Sequence, residues 1–128
     1  MGLDTSHDCW HGAYSAFNRW REKIAELAGL PPLNLMDGHY EGPAKIGLPI
    51  KWACLKPSPL RILLDHSDCD GEIAWKDCAP IADELEKLLP LFPDGGGGGH
   101  IEDWKDCTSR FIAGLRKASA AKENVLFH

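Results

Sequence analysis

A polar stretch at positions 66–77, HSDCDGEIAWKD, has the residue types and the spacing that divalent-cation chemistry requires. Acids at alternate positions followed by a glycine are typical of calcium loops, and carboxylate oxygens are the ligands that Ca²⁺ and Mg²⁺ prefer. An imidazole can join carboxylates around Mn²⁺. With Gly71 at the sixth loop position, Ile73 falls at the eighth, where it would anchor the loop to the core. The candidate ligands for Ca²⁺, or for Mn²⁺ or Mg²⁺, are His66, Asp68, Asp70, Glu72 and Asp77.

Two features of this stretch depart from an EF-hand. His66 stands where the first carboxylate belongs, and imidazole is a poor ligand for a hard cation. Asp77 stands where a bidentate glutamate belongs and is one methylene shorter. The apolar run Leu60–Leu64 before the loop follows a proline and predicts a buried strand, whereas an EF-hand needs a helix there. The sequence therefore predicts a weak EF-like loop at most.

The same residues permit an enzymatic interpretation. HSDCDG after a buried strand resembles the first metal motif of DHH-type phosphoesterases, and this resemblance implies His66, Asp68 and Asp70 as ligands of a metal that activates water. No Asp-His-His run follows, and the chain is shorter than the two domains of that family. A metal-dependent phosphoesterase is thus the runner-up, and we expect a protein that is not an enzyme. A nucleophile pair of Cys9 and His66 is a further alternative.

A third interpretation of the stretch is structural. Aspartate and serine side chains satisfy free backbone amides in turns and at helix starts. Gly71 would supply a positive φ, and Asp77 would cap the following helix. In this interpretation the carboxylates shape a corner of the backbone and offer a surface to a partner.

A second polar cluster lies near the start of the chain and predicts a partner-binding surface. The net charge of −5 and the scattered basic residues argue against general nucleic-acid binding and favour a protein partner with a basic surface. Exposed aromatic rings from the set Trp10, Trp52 and Trp75 would contribute to this surface. A nucleotide-binding sponge that uses Arg19, Arg21 and the tryptophans is another alternative. The predicted partner-binding residues are Asp4, His7, Asp8, His11, Asp65, Trp10 and Trp75.

The elements that must position these residues follow from periodicity. Apolar residues at helical spacing predict helices over 13–28, 77–92 and 101–119, and the tail NVLFH predicts a strand that pairs with Leu60–Leu64 or with the N-terminal GLD. Segment 31–59 is rich in proline and glycine and predicts an irregular region, and residues 94–99 predict a flexible glycine loop. The expected fold is a single α+β domain over 1–128, with about three helices around a sheet of two or three short strands.

The sequence also indicates where in the cell the protein is located. The sequence has no N-terminal signal and no long apolar span, so we expect a cytoplasmic protein without membrane insertion. Its five cysteines are odd in number and contain no CxxC pair, which is typical of free thiols in a reducing compartment.

Four stretches together carry a resemblance to a known group of proteins. They are HSDCDGE (66–72), CAPIADELEKLLP (78–90), YSAFNRWREKIA (14–25) and the tail VLFH. The chain resembles uncharacterised small proteins of actinobacteria and their phages. This resemblance implies a phage-related setting, and in that setting a small acidic host-factor or defence antagonist that acts by protein–protein contact.

Overall fold

A computed structural model of the chain describes residues 2–31, 57–66, 71–95 and 103–127. The predicted α+β class is confirmed, although the strands of the described part form two separate antiparallel pairs and not one sheet. Short 3-10 turns cover Ser6–Asp8 and Leu89–Leu91. The main elements are β1 (Gly2–Asp4), β2 (His11–Ala13), α1 (Tyr14–Leu27), α2 (Leu60–Leu64), β3 (Glu72–Ile73), α3 (Trp75–Leu88), α4 (Trp104–Ala121) and β4 (Val125–Leu126).

The helix predicted over 13–28 is confirmed as α1. Its apolar stripe at helical spacing places Phe17, Trp20 and Ile24 in the core, where each is fully buried. Gly29 ends the helix with a φ of +75°, a conformation that a glycine adopts without strain. The ring of Trp20 lies 4.7 Å from that of Phe111 on α4, so α1 is fixed against the last helix by aromatic packing.

The strand predicted for Leu60–Leu64 is wrong, because this segment forms the short helix α2. Its buried residues Leu60, Leu63 and Leu64 recur at the spacing of a helix, which a five-residue apolar run does not distinguish from a buried strand. The buried guanidinium of Arg21 donates hydrogen bonds to the carbonyl groups of Leu63 and Leu64 at 3.4 Å, and also to that of His66. A cation bound to the free carbonyls of a helix end stabilises that end.

The helix predicted to start at Asp77 starts two residues earlier, at Trp75. The cap position is Ala74, and the amide of Trp75 donates to the side chain of Asn124 at 3.0 Å. Asp77 is therefore not the cap, but its carboxylate lies in the first turn, where the helix dipole favours negative charge. Because of the earlier start, Pro80 lies inside α3 and not in its first turn.

The last helix and the terminal strand confirm the predicted element types. Asp103 caps α4 by accepting a hydrogen bond from the amide of Asp106 at 2.9 Å. The predicted pairing of the tail with Leu60–Leu64 is wrong, since β4 pairs with β3 in the register Glu72↔Leu126 and Ile73↔Val125. An isolated bridge between Thr5 and Phe127 does connect the tail to the residue that follows GLD.

Several predictions fall outside the described part of the chain. They concern most of the irregular segment 31–59, most of the glycine loop 94–99, and Trp52. In the part that is described, none of the helices has the length and apolar character needed to span a membrane.

The N-terminal segment packs against α4 at a glycine. A Cβ atom built on Gly114 would lie 2.4 Å from the Cys9 sulfur and 2.7 Å from the His7 carbonyl oxygen. Real Cβ atoms essentially never approach heavy atoms this closely. Gly114 is therefore what allows the turn carrying His7 and Asp8 to rest on the helix.

We expect Gly114→Ala to lower the free energy of unfolding by about 1–3 kcal/mol, because the added methyl group overpacks this contact. Chemical denaturation would measure the change. In a Cys9→Ala background the sulfur is gone while the backbone contact stays, so the same substitution should cost less there. An equal cost in both backgrounds would show that the sulfur does not set the close approach.

Candidate functional site

The N-terminal hairpin positions the first candidate surface. β1 and β2 pair in the register Leu3↔Gly12 and Asp4↔His11. Two hydrogen bonds between Thr5 and Trp10 close the intervening loop. The Thr5 amide donates to the Trp10 carbonyl oxygen at 3.0 Å, and the Trp10 amide donates to Oγ1 of Thr5 at 2.9 Å. Directly opposed residues of an antiparallel pair project to the same face, so Asp4 and His11 meet on the face opposite the buried Leu3.

His11 joins two carboxylates on this face. Its Nδ1 lies 2.9 Å from Oδ1 of Asp4, and its Nε2 lies 3.0 Å from Oδ1 of Asp8. The three side chains are 50%, 64% and 83% exposed, in the order His11, Asp4, Asp8. The hydrogen bonds that His11 donates to Asp4 and Asp8 raise the pKa of His11, and the second of these bonds lowers the pKa of Asp8. We call Asp4, Asp8 and His11 the bridged triad.

The turn that carries Asp8 is strained. His7 and Asp8 have φ values of +60° and +56°, in the left-handed region that costs a side-chain-bearing residue free energy. His7 is held there by Ser6 Oγ, 2.8 Å from its Nδ1, and by Glu123, 3.1 Å from its Nε2. Packing of the turn against Gly114 and the contacts of His7 fix this conformation, and the Asp8 carboxylate is thereby held at the surface.

The prediction that Trp10 lies in an exposed aromatic set is wrong. Trp10 is 6% exposed, and its ring lies 5.3 Å from that of Phe17 and 5.4 Å from that of Trp20. Its large apolar ring stabilises the fold more when it is buried in the core than when it lies on the surface. Trp75 is half-buried at the start of α3, and Asp65 is exposed at the end of α2.

The thiols near the triad are not activated nucleophiles. Burial raises the pKa of Cys9 to about 12, and burial also raises that of Cys107. A nucleophilic cysteine needs the opposite shift. The pairing of Cys9 with His66 as nucleophile and base therefore has no support from the environment of the thiol. Cys9, Cys78 and Cys107 are all free in the described residues.

A pocket of about 60 Å³ opens beside the triad. It lies between the hairpin and α4, with Asp8 and His11 at one side and Arg110 at the other. Arg110 also forms an ion pair with Asp106 at 3.5 Å. The pocket thus has charges of both signs on its walls and offers no surface of a single charge.

The loop between α2 and α3 positions the second candidate surface. Gly71 has a φ of +91°, as the sequence predicted for a sharp turn. His66 Nε2 lies 3.0 Å from the carbonyl oxygen of Glu72, and the His66 ring packs 4.2 Å from that of Phe127. The imidazole of the first loop position and the backbone carbonyl of the seventh thus already face one another.

The elements around this loop are closer to an EF-hand than the sequence indicated. The segment before the loop is a helix and not a strand, which removes one of the objections. Ile73, at the eighth position, is fully buried in β3, and Asp77, at the twelfth, is half-buried in the first turn of α3. A short strand at the eighth position and a helix that begins before the twelfth match the order that a calcium loop requires.

Two of the predicted ligands lie outside the described residues. These are Asp68 and Asp70, at the third and fifth loop positions. Among residues 2–31, 57–66, 71–95 and 103–127, no group of three or more His, Cys, Asp and Glu side chains is arranged to hold a metal ion. Of the candidate cation loop, which we define as residues 66–77, the described part includes His66, Glu72 and Asp77.

The tail of the chain joins the two surfaces. The amide of Phe127 donates to the Gly71 carbonyl group at 2.9 Å, and Phe127 is bridged to Thr5 of the hairpin. The amide of Leu126 donates to Ser6 Oγ at 2.9 Å. The hairpin and the loop between α2 and α3 are thus connected through β4 and the residue that follows it.

The two arginines proposed for nucleotide binding differ in their exposure to solvent. Arg19 is exposed, whereas Arg21 is 2% exposed and bonded to the end of α2. Its guanidinium also lies 4.6 Å from the centre of the Phe17 ring. Arg21 is therefore a structural cation of the core and is not available to a phosphate group at the surface.

Sequence reasoning missed three residues that build these surfaces. Glu123 holds His7, Phe127 packs on His66, and Gly114 admits the hairpin turn. The first of these contacts joins residues that are 116 positions apart, and no periodic pattern links them. Nothing in the sequence predicted the positive φ of His7 and Asp8, apart from the fact that histidine and aspartate tolerate the left-handed region better than most residues.

Comparisons of the chain with protein-family models, with curated proteins and with solved structures found no match. The geometry of the two surfaces is therefore the basis from which a function can be inferred.

Glycine substitutions should measure the strain in the hairpin turn. Lys122, which ends α4 with a φ of +55°, provides a matched reference, because it has the same backbone conformation away from the triad. We expect Lys122→Gly to stabilise the protein by about 1 kcal/mol. Asp8→Gly should stabilise it less, because the bond to His11 is lost. Thermal unfolding would measure both, and a destabilised Lys122→Gly variant would contradict the assignment of strain.

Proposed function

We propose that the protein is a small divalent-cation-binding domain and that residues 66–77 form its binding loop. The observation that carries this proposal is the contact of 3.0 Å between His66 Nε2 and the Glu72 carbonyl oxygen. These are the first and seventh loop positions, which both face the cation in loops of this class. Asp68 and Asp70 would supply carboxylates from the third and fifth positions. Asp77, in the first turn of α3, would complete the loop.

The donor set favours Mn²⁺ over Ca²⁺. Imidazole suits transition metals, whereas a hard cation prefers oxygen ligands throughout. To bind the metal, His66 would lose its bond to the Glu72 carbonyl group, and both groups would turn to the ion. The cation would then tie the end of α2 to β3 and α3. Its role in this proposal is binding and ordering, and no bond-breaking step is assigned to it.

The melting temperature after EDTA treatment, and then with Mn²⁺, Ca²⁺ or Mg²⁺, tests the cation proposal. A cation at a hundred times its dissociation constant should stabilise the fold by about 2.7 kcal/mol. We expect the largest rise with Mn²⁺ and a loss of the rise in Asp70→Asn. His66→Asp restores a carboxylate at the first position and should shift the preference towards Ca²⁺.

Asp65→Asn is the matched control, because Asp65 is an exposed carboxylate immediately before the loop. It should keep the full response. A melting temperature that none of the three cations changes would overturn the cation proposal, as would an equal loss in the Asp65 and Asp70 variants.

A second candidate function is protein–protein contact through the bridged triad, in the role of a small acidic adaptor. The observation that favours it is the pair of left-handed residues, His7 and Asp8, which hold an exposed carboxylate at a cost in stability. Natural proteins keep such costs where function needs them. Carboxylates on an exposed face fit a partner with a basic surface. A phage-related, cytoplasmic setting for this contact is part of the proposal, and the free thiols of the described residues, Cys9, Cys78 and Cys107, agree with it.

Affinity capture from a cell extract with matched variants tests the contact. A genuine partner should be retained by wild type and by Lys122→Gly, and should be lost with the double variant Asp4→Asn, Asp8→Asn. Capture should weaken at high ionic strength, because exposed charges are screened. A captured protein that the double variant retains as well as wild type would count against the triad as the contact surface.

A further inference from the structure

The geometry of the bridged triad defines the protonation state of His11. Both of its ring nitrogens lie within 3.0 Å of a carboxylate oxygen. A neutral imidazole has one N–H donor and one lone pair, so one nitrogen would direct its lone pair at a carboxylate. Only the protonated ring donates from both nitrogens. The arrangement therefore belongs to the charged form of His11.

We propose that His11 is a proton-operated latch, which in its protonated form ties Asp8 to Asp4 across the hairpin and on deprotonation releases Asp8. This inference goes beyond cation binding and does not depend on it. It assigns a pH-sensitive device to the hairpin surface.

The backbone decides which carboxylate is released. Asp4 is the direct cross-strand neighbour of His11 in the β1–β2 pair, so their contact is set by the strand register. Asp8 reaches His11 from a residue with a φ of +56°. When His11 loses one proton, its ring can donate only one hydrogen bond. The bond from Nδ1 to Asp4 is kept and the bond from Nε2 to Asp8 is lost, which frees the strained Asp8.

The other titratable groups around His11 are thiols, cations and the two carboxylates of the triad. Cys9 and Cys107 border the same pocket, but burial raises both of their pKa values, so they stay neutral thiols. Arg110 and Lys117 of α4 act on Asp8 as cations. Asp4 and Asp8 are the anions that face the ring.

The direction of the pH dependence follows from these contacts. The two carboxylates raise the pKa of His11 above the ordinary value of about 6.5. The stabilising contribution of the latch is therefore fully present below pH of about 6.5, and it is lost as the pH rises through the raised pKa. The surface formed by the triad then changes from one net negative charge to two, counting Asp4, Asp8 and His11.

Nuclear magnetic resonance of the ¹⁵N-labelled protein between pH 5 and 9 tests the latch without any partner. The wild-type protein is used, because the contacts of His7 with Ser6 and Glu123 hold the turn, and backbone assignment distinguishes the ring of His11 from that of His7. We expect the His11 ring to titrate above 6.5, and the backbone amides of residues 6–8 to shift with the same midpoint. Asp4→Asn and Asp8→Asn should each lower the midpoint by about 0.2–0.7 pH units, the effect of one exposed ion pair.

Asp65→Asn is the control and should leave the His11 midpoint unchanged, since Asp65 lies at the end of α2. Amides of residues 6–8 that stay constant while His11 titrates would overturn the latch. A midpoint that Asp8→Asn leaves unchanged would overturn it as well. A shift of the Asp4 amide in place of the Asp8 amide would show that the other carboxylate is released and would contradict the assignment.

Discussion

The close approach of the N-terminal turn to α4 at Gly114 is the constraint on which the candidate surfaces depend. Since the helix has no side chain at this position, the Cys9 sulfur and the His7 carbonyl group fit against its backbone. His7 can then reach Glu123 beyond the end of α4. The turn is thereby fixed in a left-handed conformation that places Asp8 within reach of His11. One missing methyl group on a helix thus determines where an exposed carboxylate lies.

The two surfaces are built by different physical means. The bridged triad is exposed and depends on charge, so each of its contacts is weak and sensitive to salt. The loop at 66–77 depends on backbone geometry: a positive φ at Gly71, a buried anchor at Ile73 and a carbonyl group directed at an imidazole. The strand β4 contacts both surfaces, through Ser6 on one side and Glu72 on the other.

Long periodic elements could be predicted from the sequence, whereas short ones could not. α1 and α4 span 14 and 18 residues, over which a helical stripe is distinct from an alternating one. The five residues of α2 are too few for that distinction, and the bonds from Arg21 that end the helix come from another part of the chain. Trp10 was expected in an exposed aromatic set, but its ring joins a core assembled from α1 and α4. The triad residues were predicted as a set, while their bridging follows from a strand register that sequence does not specify.

The hydrogen bonds that Arg21 donates to α2 have a consequence for how the domain opens. Its guanidinium contacts residues 42 and 43 positions further along the chain, so one buried side chain connects α1 with the end of α2. α2 cannot detach from α1 without breaking these bonds to a buried charge, which is costly. The two helices therefore open together as one cooperative unit, although they are far apart in the sequence.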